Sequence, residues 1–140
     1  MTSPTDEIRT AAATLRALAT AASTATSAPL DRGGKPTTRW HFAERPGFGS
    51  GYLYAENPNG PGARLTHGTG RDGHPGMRTR HGQYAAAMDP TVGLALADWL
   101  DLEADVIAGR IAQDGTDEHA VAIDGDHALA VARAILGSQP

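Results

Sequence analysis

Histidines at seven-residue intervals, His67, His74 and His81, run through a stretch that also holds Arg71, Arg78, Arg80 and four glycines between residues 68 and 76. Imidazole titrates near neutral pH, so it suits proton transfer, and it is a common ligand for borderline metals. Guanidinium forks beside glycine-rich backbone suit a phosphate instead, through bidentate side-chain contacts and exposed amides. The spacing favours the second chemistry. There is no His-x-His or His-x₃-His pair to converge on an ion, and no nucleophile or carboxylate is fixed next to an imidazole. The reading therefore assigns no catalytic residue, no metal ligand and no cofactor. It names Arg39, His41, His67, Arg71, His74, Arg78, Arg80 and His81 as candidate ligand-binding residues, with a histidine-based metal-dependent hydrolase as a remoter alternative.

Two other patterns carry less. Gly68-Thr69-Gly70-Arg71-Asp72-Gly73 spells G-x-G-x-x-G, but that motif works only between a strand and a helix N-terminus. Here His74-Pro75-Gly76 follows, which disfavours a helix start, and no βαβ unit surrounds it. A dinucleotide fold is excluded. Asp124-Gly125-Asp126-His127 lacks the ligand series and distal glutamate of a calcium loop and reads as a helix cap.

Charge is sorted along the chain. Residues 31–88 carry eight bases against four acids, and residues 89–140 carry ten acids against Arg110 and Arg133, within a net charge of −4. The basic middle is the half expected to attract an anionic partner. Alanine supplies 26 of the 56 hydrophobic residues, so the expected core is thin and packed by helices lying close together. A thin core gains from a partner surface, which favours a homo-oligomer. With no cysteine, disulfides and thiolate sites are excluded. No apolar run approaches the ~20 residues needed to cross a bilayer, and the acids Asp6 and Glu7 argue against a secretory signal. The expectation is a cytoplasmic protein without a membrane span.

The elements that must position these residues follow from changes in period. Ser3-Pro4-Thr5-Asp6 reads as a helix start, and apolar residues recur at helical spacing from Ile8 to Ala22, giving a helix within 1–24. From Thr37 the period drops to two. Thr38, Trp40 and Phe42 alternate with Arg39 and His41, Tyr52–Glu56 follows after a glycine turn, and Ala63–His67 reads as a third strand, giving a small sheet over 37–67. Residues 68–78 form the Gly-rich loop. Residues 80–137 are helical: a short helix from Arg80, a long one entered at Asp89-Pro90, and a last one capped by Asp124 or Asp126 and closed by Gly137. The expected fold is a single small α+β domain over 1–140. It has an N-terminal helix, a three-stranded antiparallel meander, then two to three C-terminal helices on one sheet face.

Within the long helix, Val92, Leu96, Trp99 and Val106 share a stripe that also takes in Glu103 and Arg110. Charges inside an apolar stripe need partners. Glu103 is expected either to pair with Arg16 or Arg133, or to mark register in a helix seam between two copies. Trp99, Glu103, Val106 and Arg110 are thus candidate interface residues. Asp98, Asp101 and Asp105 read as a solvated acidic exterior.

Residues 84–100, with the run Asp89-Pro90-Thr91-Val92-Gly93-Leu94-Ala95-Leu96-Ala97-Asp98, resemble a group of short uncharacterised proteins of actinobacteria and their phages. The opening Ala11–Ala22 helix, Trp40 at the head of a small sheet and the closing His127–Gly137 helix belong to the same likeness. The layout is also similar to phage early proteins, with Thr38-Arg39-Trp40 standing where those have Pro-Gly-Pro-Trp. The resemblance implies a small accessory protein of a phage or mobile element. Taken with the residues, it predicts a non-enzymatic protein whose basic Gly/Arg/His loop binds a phosphate-bearing small molecule or an acidic patch on a protein partner. A nucleic-acid binder using Arg39, Arg64, Arg78 and Arg80 is the alternative, and mimicry of nucleic acid by the acidic helices is a weaker one.

Overall fold

The computed structural model describes residues 2–24, 36–58, 60, 62–66, 76–114 and 125–137. In chain order these form helix α1 (Pro4–Ala21), strands β1 (Trp40–Arg45), β2 (Ser50–Ala55) and β3 (Met77–Arg78), then helices α2 (Thr79–Ala87), α3 (Pro90–Asp114) and α4 (Asp126–Leu136). The fold is α+β as expected: an N-terminal helix, a three-stranded antiparallel sheet, then C-terminal helices. The chain divides into two compact units, one made of Met1–Leu18 with Gly93–Pro140 and the other of Ala19–Val92. No helix among the described residues is long and apolar enough to cross a membrane.

The first unit is helical. Ser3 starts α1 as its sequence predicts, its hydroxyl accepting the Asp6 amide at 3.1 Å and donating to the Asp6 carboxylate at 2.8 Å. The core joins Ile8, Ala11 and Ala12 of α1 to Leu100, Ala104 and Ile107 of α3 and to Ala128, Leu129 and Ala132 of α4. Five of these nine are alanines, so the helices approach closely and the core is as thin as the composition implies. The α4 start differs from expectation. Gly125 occupies the cap position without a side-chain cap, and Asp126 lies inside the first turn, where its charge suits the helix N-terminus. A β-carbon at Gly125 would meet the end of the Ile107 side chain, which marks how closely α4 and α3 approach there. Gly137 ends α4 at φ 72°, as expected of a left-handed C-cap. Asp124 lies outside the described residues.

The buried face of α3 is not the stripe of large side chains. Gly93, Ala97, Leu100, Ala104 and Ile107 are buried, while Trp99, Val106 and Leu102 keep 36%, 39% and 59% of their surface exposed. Small residues take the buried face because they let three helices pack tightly. The acidic row is solvent-exposed as expected, and it is also paired. Arg16 donates to Asp98 at 3.0 Å and to Asp101 at 2.7 Å, and Arg9 reaches Asp105 at 3.3 Å. Arg133 pairs with Glu7 at 2.9 Å. These carboxylates therefore hold α1 in register and are not a bare exterior, and neither Arg16 nor Arg133 takes Glu103 as its ion-pair partner. Solvent-exposed pairs of this kind contribute little to stability, since water screens them. Asp101 first, and Asp98 second, hold the Arg16 guanidinium above its ordinary pKa. A raised pKa gives stability that is fully present below the unfolded value and is lost only as pH rises through the folded one. This contribution is therefore flat through neutrality and responds to salt instead.

The second unit is built on β2. Residues 46–49 turn β1 into β2, with Gly47 and Gly49 at φ 83° and 63°, values that L side chains rarely adopt. The antiparallel register sets Trp40 opposite Ala55, Phe42 opposite Leu53 and His41 opposite Tyr54. Gly51, Leu53 and Ala55 are buried on one face, and α2 packs there against β1 and β2. A β-carbon at Gly82 would enter the Phe42 ring, so glycine sets how closely α2 lies on the sheet. The third strand is not Ala63–His67. Arg64 makes a single bridge to Tyr54, with Leu65 N–H donating to Leu53 O at 2.9 Å. The ladder position belongs to Met77–Arg78, paired with Gly51 and Ser50. Two short segments thus share one edge of β2. Prolines and glycines around residue 60 favour a bend over a continuous strand.

Asp89 ties this unit together. It is 7% exposed, and its carboxylate accepts the Val92 amide at 3.1 Å and the Trp40 amide at 3.2 Å. It caps α3 as the Asp-Pro step predicts and also anchors the first residue of β1.

Core residues and exposed ones of the same type should separate cleanly in stability. Leu100→Ala, at a fully buried position, is expected to cost about 2–5 kcal/mol in urea denaturation. Leu18→Ala, at a position 62% exposed, is expected to stay within about 0.5 kcal/mol.

A basic cleft beside helix α2

The start of α2 breaks the usual rule for helix termini. Its first turn has no acidic residue, and Arg78 at the cap position supplies no side-chain hydrogen bond to the open amides. Arg80 and His81 lie in the first turn, so positive side chains surround the positive end of a helix dipole. The Thr79 amide is used, donating to Gly49 O at 3.0 Å. The Thr79 hydroxyl donates to the Glu44 carboxylate at 3.3 Å, which brings one acid to the cleft wall. Arg78, Arg80 and His81, with Phe48, Ser50 and Gln83, line a concavity of about 750 Å³. All three bases are exposed. An anion there meets guanidinium forks and helix amides together, the arrangement in which phosphates bind at helix N-termini.

The other predicted residues are distributed differently. Arg39 and His41 line a second concavity of about 440 Å³, with Trp40, Phe42, Gln83 and Thr91 among its walls. His41 stacks on Tyr54 with ring centroids 5.4 Å apart, and its Nε2 lies 3.7 Å from the Glu56 carboxylate. Arg64 covers the Tyr52 ring, its guanidinium carbon 4.4 Å from the centroid. His67, Arg71 and His74 lie outside the described residues, as does most of the Gly-rich loop. Among the described residues no three His, Cys, Asp or Glu side chains are grouped to hold a metal ion. The interface candidates belong to the helical unit. Trp99 and Val106 are exposed, Glu103 is half-buried, and Arg110 is exposed at the surface of the same helix.

Sequence reasoning passed over Phe48, Tyr52 and Tyr54. Phe48 sits in the glycine turn, where Arg45 covers its ring at 4.6 Å and where it forms one wall of the cleft. Tyr52 and Tyr54 flank Leu53, and strict period two would have placed both on the face opposite that buried leucine.

No protein-family model matches the chain, and no curated protein or solved structure is detectably similar to it.

The charge arrangement at α2 has a measurable cost in the ligand-free protein. Replacing Arg80 by Glu puts a negative side chain in the first helical turn and should raise stability by about 0.3–1 kcal/mol in low-salt buffer, read by thermal or urea denaturation. A loss of stability on Arg80→Glu would show that Arg80 is held by interactions stronger than the helix end.

Proposed function

We propose that this protein is a binding module, not a catalyst, and that it takes a phosphate-bearing ligand in the cleft at the N-terminus of α2. One observation carries the reading: an uncapped helix start whose first turn holds Arg80 and His81 behind Arg78, with no acid in that turn. Like charges gathered at the positive end of a helix oppose folding, and an anion removes that opposition. The concavity is wide enough for a phosphate with an organic group attached, and Phe48 offers that group an apolar wall. A small accessory role of phage or mobile-element type is consistent with such a module.

Thermal denaturation in the presence of pyrophosphate and nucleotides tests this directly. A ligand at about one hundred times its dissociation constant is expected to stabilise by about 2.7 kcal/mol. The shift should shrink as salt rises and vanish in Arg78→Ala/Arg80→Ala. Absence of any stabilisation by the whole panel in the wild-type protein would sink the proposal.

The exposed row of α3 supports a second proposal, self-association. Trp99, Leu102 and Val106 follow one another at helical spacing with their apolar surface bare. Light scattering after size exclusion should read a dimer for wild type and a monomer for Trp99→Glu, and a monomeric wild type at about 100 μM would end the idea.

A further inference from the structure

The solvent face of the sheet carries a second site. In an antiparallel ladder, residues opposite each other project to the same side. The register His41↔Tyr54, Arg45↔Ser50 and Ser50↔Arg78, with the bridge Tyr54↔Arg64, therefore gathers His41, Arg45, Tyr54, Arg64 and Arg78 on the face away from α2, and Tyr52 joins them by alternation. The aromatic rings form a contiguous patch in the middle. Tyr52 and Tyr54 lie 6.0 Å apart between centroids, and His41 stacks on Tyr54 at 5.4 Å. Arginines stand at both ends, Arg45 and Arg78 beside Ser50 and Arg64 beside the tyrosines. Among the described residues, Glu56 brings a carboxylate to this face, 3.7 Å from His41 Nε2. Ala43, Tyr52, Tyr54, Gly62 and Arg64 enclose a shallow groove of about 350 Å³.

We propose that this face binds single-stranded nucleic acid, with bases stacking on Tyr52 and Tyr54 and backbone phosphates reaching Arg64 at one end and Arg45 and Arg78 at the other. Half-buried tyrosines on a sheet face offer rings on which a base can stack in place of the His41 imidazole and Arg64 guanidinium now beside them, and flanking arginines neutralise the phosphates between bases. The Arg64 guanidinium already sits over the Tyr52 ring, so a base entering the groove takes its place on the ring and frees that charge for a phosphate. Two adjacent rings with positive charge at both ends match consecutive nucleotides of a strand. A mononucleotide would use one ring and one end. A duplex hides its base faces and gains nothing from the rings. The site shares Arg78 with the cleft at α2 but is centred elsewhere, because Tyr52, Tyr54, His41 and Arg64 do not line that cleft.

Fluorescence anisotropy with labelled oligo-dT of about twelve nucleotides, at about 50 mM salt, tests the proposal. The full-length protein is expected to bind, with affinity falling steeply as salt is raised. Tyr52→Leu/Tyr54→Leu, which keeps apolar bulk on the strand, should weaken binding by about tenfold or more while leaving the pyrophosphate-induced thermal shift intact. Ultraviolet cross-linking of the wild-type complex followed by peptide mapping removes any dependence on how the variant folds, and the adduct should fall on residues 52–54. Equal affinity for duplex DNA, equal affinity for thymidine monophosphate, absence of binding by the wild type, or an adduct confined to other residues would each overturn the assignment.

Discussion

A single buried carboxylate organises the unit that holds both candidate sites. Asp89 accepts the amide that opens β1, at Trp40, and the amide of Val92 in the first turn of α3. A buried carboxylate is costly unless its oxygens are satisfied, and both are used on backbone donors from segments forty-nine and three residues away. Neighbouring contacts reinforce the same junction. Thr91 donates its hydroxyl to Thr38 O at 3.0 Å, and the Trp40 indole donates to Thr37 O at 2.6 Å. Strand β1 thereby starts at a defined position beside the residues that follow α2. The register of β1 on β2 then decides which side chains face α2 and which face solvent.

From that register the two sites follow as consequences of one alternation. Gly51, Leu53 and Ala55 point towards α2, and the helix can lie close only because Gly82 leaves room for the Phe42 ring. The intervening Tyr52 and Tyr54 must then face outward, where Arg64 and His41 cover parts of them. The Thr79 amide, bound to Gly49 O, fixes the start of α2 at the β1–β2 turn and brings Phe48 alongside Arg78 and Arg80. Neither site requires a long-range active-site loop. Both are built from residues adjacent to the sheet.

The sequence was most readable where one local rule dominates. Ser3 and the Asp89-Pro90 step announce their helices by capping chemistry, and the structure uses both side chains as caps. Paired glycines at 47 and 49 announce a turn whose dihedrals need them. Legibility failed where tertiary packing decides among equal local options. Nothing in the spacing of α3 says that Ala97 and Ala104 are buried in place of Trp99 and Val106, because that choice depends on how closely α1 and α4 approach. Residues 63–67 and 77–78 both suit an edge strand, and which of them continues the ladder is a matter of chain path. Of the candidate site, Arg78, Arg80 and His81 were found by residue type, but the uncapped helix start that gives them a common purpose is a property of three dimensions.

Charge sorting along the chain acquires a structural meaning from the two units. Unit Ala19–Val92 holds eight bases against five acids, and the helical unit holds four bases against eleven acids, which together give the net −4. In the helical unit several acids are committed: Asp98 and Asp101 to Arg16, Asp105 to Arg9, and Glu7 to Arg133. Among the described acids of the sheet unit, Asp89 is used on two amides, Glu44 accepts from the Thr79 hydroxyl, and Glu56 lies beside His41. Its exposed arginines, by contrast, are arranged around aromatic rings and a helix N-terminus, where a guanidinium contributes little to folding and much to the attraction of an anion. With eight bases against five acids, this unit is positively charged despite the negative total. That asymmetry is what an anionic ligand would detect first, and it is also why its binding should weaken as salt rises.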